Sequence, residues 1–385
     1  MSFAGYAGYA GYAGYAGYAG YAGYAGYAGY AGIGALAGAS AIPLVADALV
    51  RSHDALAEPI DASAVQDQWA PQKWSGHPPF PSTGDDKKRL WHWEPHIRAA
   101  LYDQELLGLV RFVVTPKTQT VQLLSYVPKK LVASLTCPSQ ATFEEQLALV
   151  ESWATRREER LGEVLSQTVP QVPFWASVLQ LNPNRHRYTF ELVETALRFT
   201  MILVMRFKHE FACPRPSEYS PNIQPNVMVP GYSALPSGHA TESAVAAHVL
   251  IALTGQADDS PLAQQLLRLA DRIAEHRVVA GLHFPVDSAA GYALGRALAS
   301  YFVALAKATK RTKKAGGVAE AWRSVDFEGK KFPGRSDWRR PEPPSLEPNF
   351  AKTTAVDANV AGAAPLLAQL WTCAQAEQRD AGFQV

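Results

Sequence analysis

Glycine returns at every third position from Gly5 to Gly32, and only Tyr and Ala stand between. This is the collagen period, but the run lacks the proline that pre-organises a triple helix. Residues 1–40 therefore read as a low-complexity segment that builds no packed core. They hold nine of the sixteen tyrosines, and no Lys, Arg, Asp or Glu precedes Asp47. The rest of the 385-residue chain carries all 36 Lys and Arg and all 35 Asp and Glu, a formal balance of +1. Binding to a phosphate backbone needs a strong basic excess, so a nucleic-acid partner is not expected.

Three cysteines, Cys137, Cys213 and Cys373, are widely separated and lack paired spacing, which argues against a disulfide framework or a zinc site. The best uniformly apolar block, Phe199 to Met205, is bounded by Arg198 and Arg206 and is too short to span a bilayer. The start has no basic residue, and its apolar stretch from Ile33 to Ala46 begins late for a secretory signal. The expectation is a soluble, cytoplasmic protein with no membrane span, acting on a small-molecule substrate. A homo-oligomer is compatible with this reading.

Organisation follows from patterning. Residues 41–88 are expected to form a connector with a short helix and a Pro- and Trp-containing stretch, including Trp69, Trp74, Pro78 and Pro79. Apolar residues then recur at three- and four-residue spacing near Glu94–Phe112, Thr142–Gln167 and His186–Phe211, which predicts amphipathic helices. Three more helices are predicted from Ser237 to Gly255, from Ser260 to about Val279, and from near Pro285 to Lys307. Alternation is confined to a short piece around Thr120–Val127. Residues 89–308 are thus expected to be an all-α helical bundle, and residues 309–385 a basic, Pro-rich arm with a last helix around Ala363–Glu377.

Three segments place polar groups inside otherwise apolar helices. Lys208 precedes Arg215 and Pro216; Pro236, Ser237, Gly238 and His239 are contiguous; Arg277 is followed by His283 and then Asp287. Lysine and arginine at these places suit a tetrahedral oxyanion, because guanidinium forks match its oxygens. Ser237 and Gly238 stand where a loop enters a helix, so free backbone donors and the helix dipole favour the same anion. His283 and Asp287 are four apart, so a helical turn lets the carboxylate hold one ring nitrogen and leaves the other for the anion. His239 is then the candidate acid and base. Each segment alone has a plain structural explanation: a helix end, a serine cap, a buried ion pair.

Taken together the segments resemble the signature of the type 2 phosphatidic acid phosphatase and vanadium haloperoxidase superfamily, over about residues 189–301. The resemblance implies a helical-bundle core and a site that takes phosphate or its isostere vanadate. It implies that Lys208, Arg215, Ser237, Gly238 and Arg277 hold the oxyanion, and that His283 is the nucleophile or the vanadium ligand. Asp287 would orient His283, and His239 would move protons. The chain departs from the pattern at His276, where Ser or Thr is usual. Met205 stands where haloperoxidases commonly carry Trp, and Tyr232 is the candidate for an aromatic halide pocket. Cys213, inside the first motif, reads as a buried inert thiol; His209 and His248 read as supporting residues; Gly291 and Gly295 read as points of close helix contact.

A long helical segment before the first motif favours a vanadate-dependent haloperoxidase, with vanadate as cofactor and hydrogen peroxide oxidising a halide. The alternative is a phosphatase without cofactor, working through a phosphohistidine at His283. A further alternative is a tyrosine-repeat assembly protein whose helical domain does no chemistry.

Overall fold

The computed structural model describes residues 90–383, apart from 92, 127, 169–170, 308–319 and 337–347. The repeat over 1–40 and the connector over 41–88 lie outside the described residues. The chain divides into two units, Met1–Trp93 with Thr168–Pro170, and Glu94–Gln167 with Gln171–Val385. The elements below belong to the second.

Helix α1 (Pro95–Leu107) leads into strands β1 (Val110–Thr115), β2 (Thr120–Ser125) and β3 (Leu131–Thr136). Helices α2 (Gln140–Trp153), α3 (Arg157–Ser166) and α4 (Val172–Leu179) follow, then the 25-residue α5 (Arg187–Phe211) and the single turn α6 (Pro216–Tyr219). Helices α7 (Gly238–Leu253), α8 (Pro261–Val279) and α9 (Pro285–Lys307) come next, and β4 (Glu320–Glu328), β5 (Ala351–Asp357) and α10 (Pro365–Asp380) close the order.

The five strands form one sheet in sequence order, antiparallel throughout except for the parallel β3–β4 pair. The fold is therefore not all-α. Two physical causes separate it from the sequence expectation. Gly108 ends α1, and the following Val110, Val113, Val114 and Thr115 are β-branched, so a stretch whose spacing fits a helix pairs instead with β2. Strand β4 finds its partner across the whole helical core: Val325 pairs with Ala133 and Phe327 with Leu135. No local period reveals such a contact. The C-terminal segment thus contributes two strands and α10 to the same unit as the helices. The region expected as one helix over Thr142–Gln167 is two, joined by a tight turn at Ala154–Arg156.

Helix α7 is the axis of the core. Its faces meet α9, α8 and α5, and eleven of its sixteen residues are buried. It lies close to α9 because Gly291 and Gly295 have no side chain. A Cβ on Gly291 would stand 2.6 Å from Ser237 O, and one on Gly295 would stand 2.6 Å from both Ala244 Cβ and Thr241 O. Helix α9 is long and apolar enough to cross a membrane by length and composition alone, and 72% of its most apolar window is buried inside the chain. The serine caps behave as their chemistry dictates: Ser237 Oγ accepts from Ala240 N–H at the start of α7, and Ser260 Oγ from Ala263 N–H at the start of α8. The tight α7–α9 contact fixes the relative height of their two N-termini.

Candidate active site

Helix α5 stops because Ala212 turns left-handed (φ 49°), with its N–H bonded back to Lys208 O. The last turn therefore delivers Lys208 inward, where it is 2% exposed. Its ammonium donates to the carbonyls of Ser233 (2.7 Å) and Ala234 (2.9 Å). Burial and then the neighbouring Arg215 guanidinium hold its pKa well below the ordinary lysine value.

Cys213 and Pro214 carry the chain to Arg215, which caps α6, its N–H donating to Glu218 Oε2. The Arg215 guanidinium is also 2% exposed. It donates from Nε to Tyr232 O (3.0 Å), from Nη2 to Ser233 O (3.3 Å) and from Nη1 to Leu282 O (3.0 Å). Nη1 also meets His283 Nε2 at 3.1 Å. A guanidinium has only donors, so His283 Nε2 must be the acceptor. The proton of the neutral ring therefore sits on Nδ1, which donates to Asp287 Oδ2 at 3.1 Å. The tautomer is fixed from both sides. Burial, with Arg215 and Lys208 adding to it, keeps the His283 pKa well below the usual value, so the ring is neutral with its lone pair on Nε2.

Asp287, in the first turn of α9, is fully buried. Its Oδ2 also accepts Phe284 N–H at 2.9 Å, and its carbonyl accepts Ser237 N–H at 2.9 Å. That last bond ties the second motif to the third. Burial pushes the carboxyl up to about 7, against the Phe284 N–H, Lys208 and Arg215, which favour the anion.

Arg277, near the end of α8, is 1% exposed and gives one hydrogen bond, from Nη2 to Val164 O at 2.9 Å. Its Nε and Nη1 are buried without a hydrogen-bond partner among the described residues. Burial lowers its pKa to about 10. Orphaned guanidinium donors in a core are costly unless an anion takes them. Gly238 and His239 add the first-turn amides of α7, which no helix carbonyl can reach. A Cβ on Gly238 would meet nothing nearer than Glu242 Oε1 at 4.0 Å, so the backbone there is open to approach.

His239 stands apart from the Arg215–His283–Asp287 chain. Its Nε2 donates to the Gln167 backbone carbonyl at 2.9 Å. Burial and Arg277 lower its pKa to about 3. Tyr232 is 40% exposed, and its ring lies 5.4 Å from Lys208 Nζ and 5.2 Å from Arg215 Cζ. Met205 is half-buried on α5. His209 is exposed and His248 packs 6.1 Å from the Tyr292 ring, so neither joins these contacts.

Several positioning groups were not legible in the motifs. Gln167 serves twice: its carbonyl holds His239, and its Oε1 accepts from His276 Nδ1 at 2.7 Å. Gln146 Oε1 accepts Val286 N–H at 3.1 Å, and the Phe143, Tyr219 and Phe284 rings pack in tilted and edge-on contacts at the residue that follows His283. Ser233 contributes both a carbonyl, to Lys208 and Arg215, and a hydroxyl, to Cys213 N–H. Glutamine and serine in a helix end or loop carry no distinctive pattern, and carbonyl acceptors carry none at all.

Residues 192–311 match the family model of the PAP2 superfamily, and that stretch contains all three motifs. No curated protein matches the chain.

Proposed function

We propose, from the match of residues 192–311 to the PAP2 superfamily model, that the chain hydrolyses phosphoesters with His283 as the nucleophile. The family supports phosphoester or oxyanion chemistry. The observation that carries the finer reading is the fixed tautomer of His283, with Arg215 at Nε2 and Asp287 at Nδ1. Lys208, Arg215, Arg277 and the α7 amides at Gly238 and His239 would bind the three non-bridging oxygens, where charge develops during transfer.

His283 Nε2 attacks phosphorus, and the bond to the leaving oxygen breaks as His239 supplies its proton. Water then attacks the phosphohistidine, giving its proton to His239, and phosphate leaves with His283 restored. His239 must be protonated for the first step. Burial, with Arg277 adding to it, holds its pKa near 3, and a bound dianion beside Arg277 acts against the second of these causes.

The sequence expectation placed vanadate-dependent halide oxidation first because a long helical segment precedes the first motif. That segment holds three strands beside helices α1–α4, so its helical content alone does not favour this reading. One observation keeps this as a second reading: the exposed Tyr232 ring beside Lys208 and Arg215 offers an aromatic rim for a halide. The orphaned Arg277 donors suit tetrahedral vanadate as well as phosphate. Vanadate would be ligated by His283 Nε2 and would supply activation of hydrogen peroxide. Lys208, Arg215, Ser237, Gly238 and Arg277 would hold its oxygens.

Aryl phosphate hydrolysis without vanadate and bromination with vanadate and peroxide separate the two. Hydrolysis abolished by His283→Ala supports the first reading; peroxide-dependent bromination without hydrolysis supports the second.

A further inference from the structure

Cys137 and Cys213 are 76 positions apart in the chain, yet their Sγ atoms are 3.4 Å apart and both are buried. Cys137 follows the last residue of β3, and its N–H is held by Gln119 O at 3.0 Å. Cys213 lies between Lys208 and Arg215 in the first motif. A disulfide bond is about 2.05 Å long, so closing the gap needs an approach of about 1.4 Å.

The backbone around Cys213 determines what that approach would move. Cys213 N–H donates to Ser233 Oγ at 2.9 Å, and Cys213 O accepts Ala234 N–H at 2.9 Å. The carbonyls of Ser233 and Ala234 hold the Lys208 ammonium, and that of Ser233 also holds Arg215. Cys213 is therefore tied at both backbone groups to the segment that positions two of the anion-binding cations.

We propose that Cys137 and Cys213 form a reversible disulfide that clamps the anion-binding loop to the end of β3 and weakens anion binding. Two thiols lose two protons and two electrons to hydrogen peroxide, which leaves as two waters; a dithiol reductant reverses the bond. Drawing Cys213 toward β3 drags Ser233 and Ala234, and shifts Lys208 and Arg215 out of register with the oxyanion. Donors displaced by about 1 Å lose much of their effect. The consequence for affinity rests on the oxyanion reading of the site; the disulfide does not.

The full-length chain is treated with hydrogen peroxide, alkylated, digested without reductant and mapped by mass spectrometry, and vanadate affinity is measured calorimetrically before and after. The expected result is a peptide linking Cys137 to Cys213, removed by dithiothreitol and absent from Cys137→Ser. The oxidised chain is expected to bind vanadate roughly five- to a hundred-fold more weakly, the range common for coupled sites. Cys373→Ser should behave as the unaltered chain. No linked peptide under conditions that oxidise Cys373, or equal vanadate affinity in the two redox forms, would overturn the proposal. A reduced chain that binds no vanadate contradicts the proposed function instead, and the linked peptide still decides whether the bond forms.

Discussion

Arg215 Nη1 approaches His283 Nε2 to 3.1 Å, so a cation from the first motif points at the lone pair of the third. The contact sets the tautomer and places a guanidinium where an oxyanion bonded to that nitrogen would carry its charge. Arg215→Lys keeps one positive charge and loses the fork. We expect kcat/KM for aryl phosphate to fall on the order of 10²–10³-fold, with the chain still folded by circular dichroism.

Asp287 separates catalysis from stability. Its buried carboxyl has its pKa pushed up to about 7, so the folded chain is working against the charge it holds. Asp287→Asn can still accept from His283 Nδ1 and from Phe284 N–H, but it no longer stabilises a positive imidazole. Turnover should drop on the order of 10²–10⁴-fold, while the thermal midpoint stays level or rises. A parallel fall in both would show that Asp287 is there for packing.

His276 predicts a pH dependence of stability. Burial, with Arg277 adding to it, lowers its pKa to about 4 from an ordinary 6.5. Between those values the unfolded chain binds the proton and the folded chain does not. Its contribution is therefore complete above pH 6.5 and is lost as pH falls toward 4, at up to about 1.4 kcal/mol per pH unit. His239 acts in the same direction and Asp287 in the opposite one. The sign for His276 alone is read by comparing the unaltered chain with His276→Asn in urea unfolding at pH 7 and pH 5. The variant should lose less stability on acidification.

Gly295 tests the packing that aligns the two helix N-termini. An added Cβ would meet Thr241 O and Ala244 Cβ, both at 2.6 Å, so α7 and α9 must separate. Gly295→Ala should destabilise by about 1–3 kcal/mol, seen as a lower urea midpoint. Turnover of the folded fraction should fall as well, because Ser237 and Asp287 share a hydrogen bond across that contact.

How much was readable beforehand depends on the range of the interaction. The starts of α7, α8 and α9 follow from Ser237, Ser260 and Pro285, whose capping chemistry acts within one turn. The motif residues were visible because charged side chains in apolar helices are expensive and need a reason. Of the sheet only β2 was visible, as the alternation around Thr120–Val127; Val110–Thr115 fits a helical spacing, and Ala133 pairs with Val325 across nearly two hundred positions of chain. The same limit hid Gln167 and Ser233, which act through carbonyls, and the meeting of Cys137 with Cys213, which depends on where β3 ends.

The most direct measurement quenches the chain in alkali during aryl phosphate turnover and maps the phosphoryl group by mass spectrometry. The account predicts a phosphoryl group on His283, formed faster than product is released and missing from His283→Ala. Sustained hydrolysis with His283 unmodified, or with the group on another residue, would contradict it.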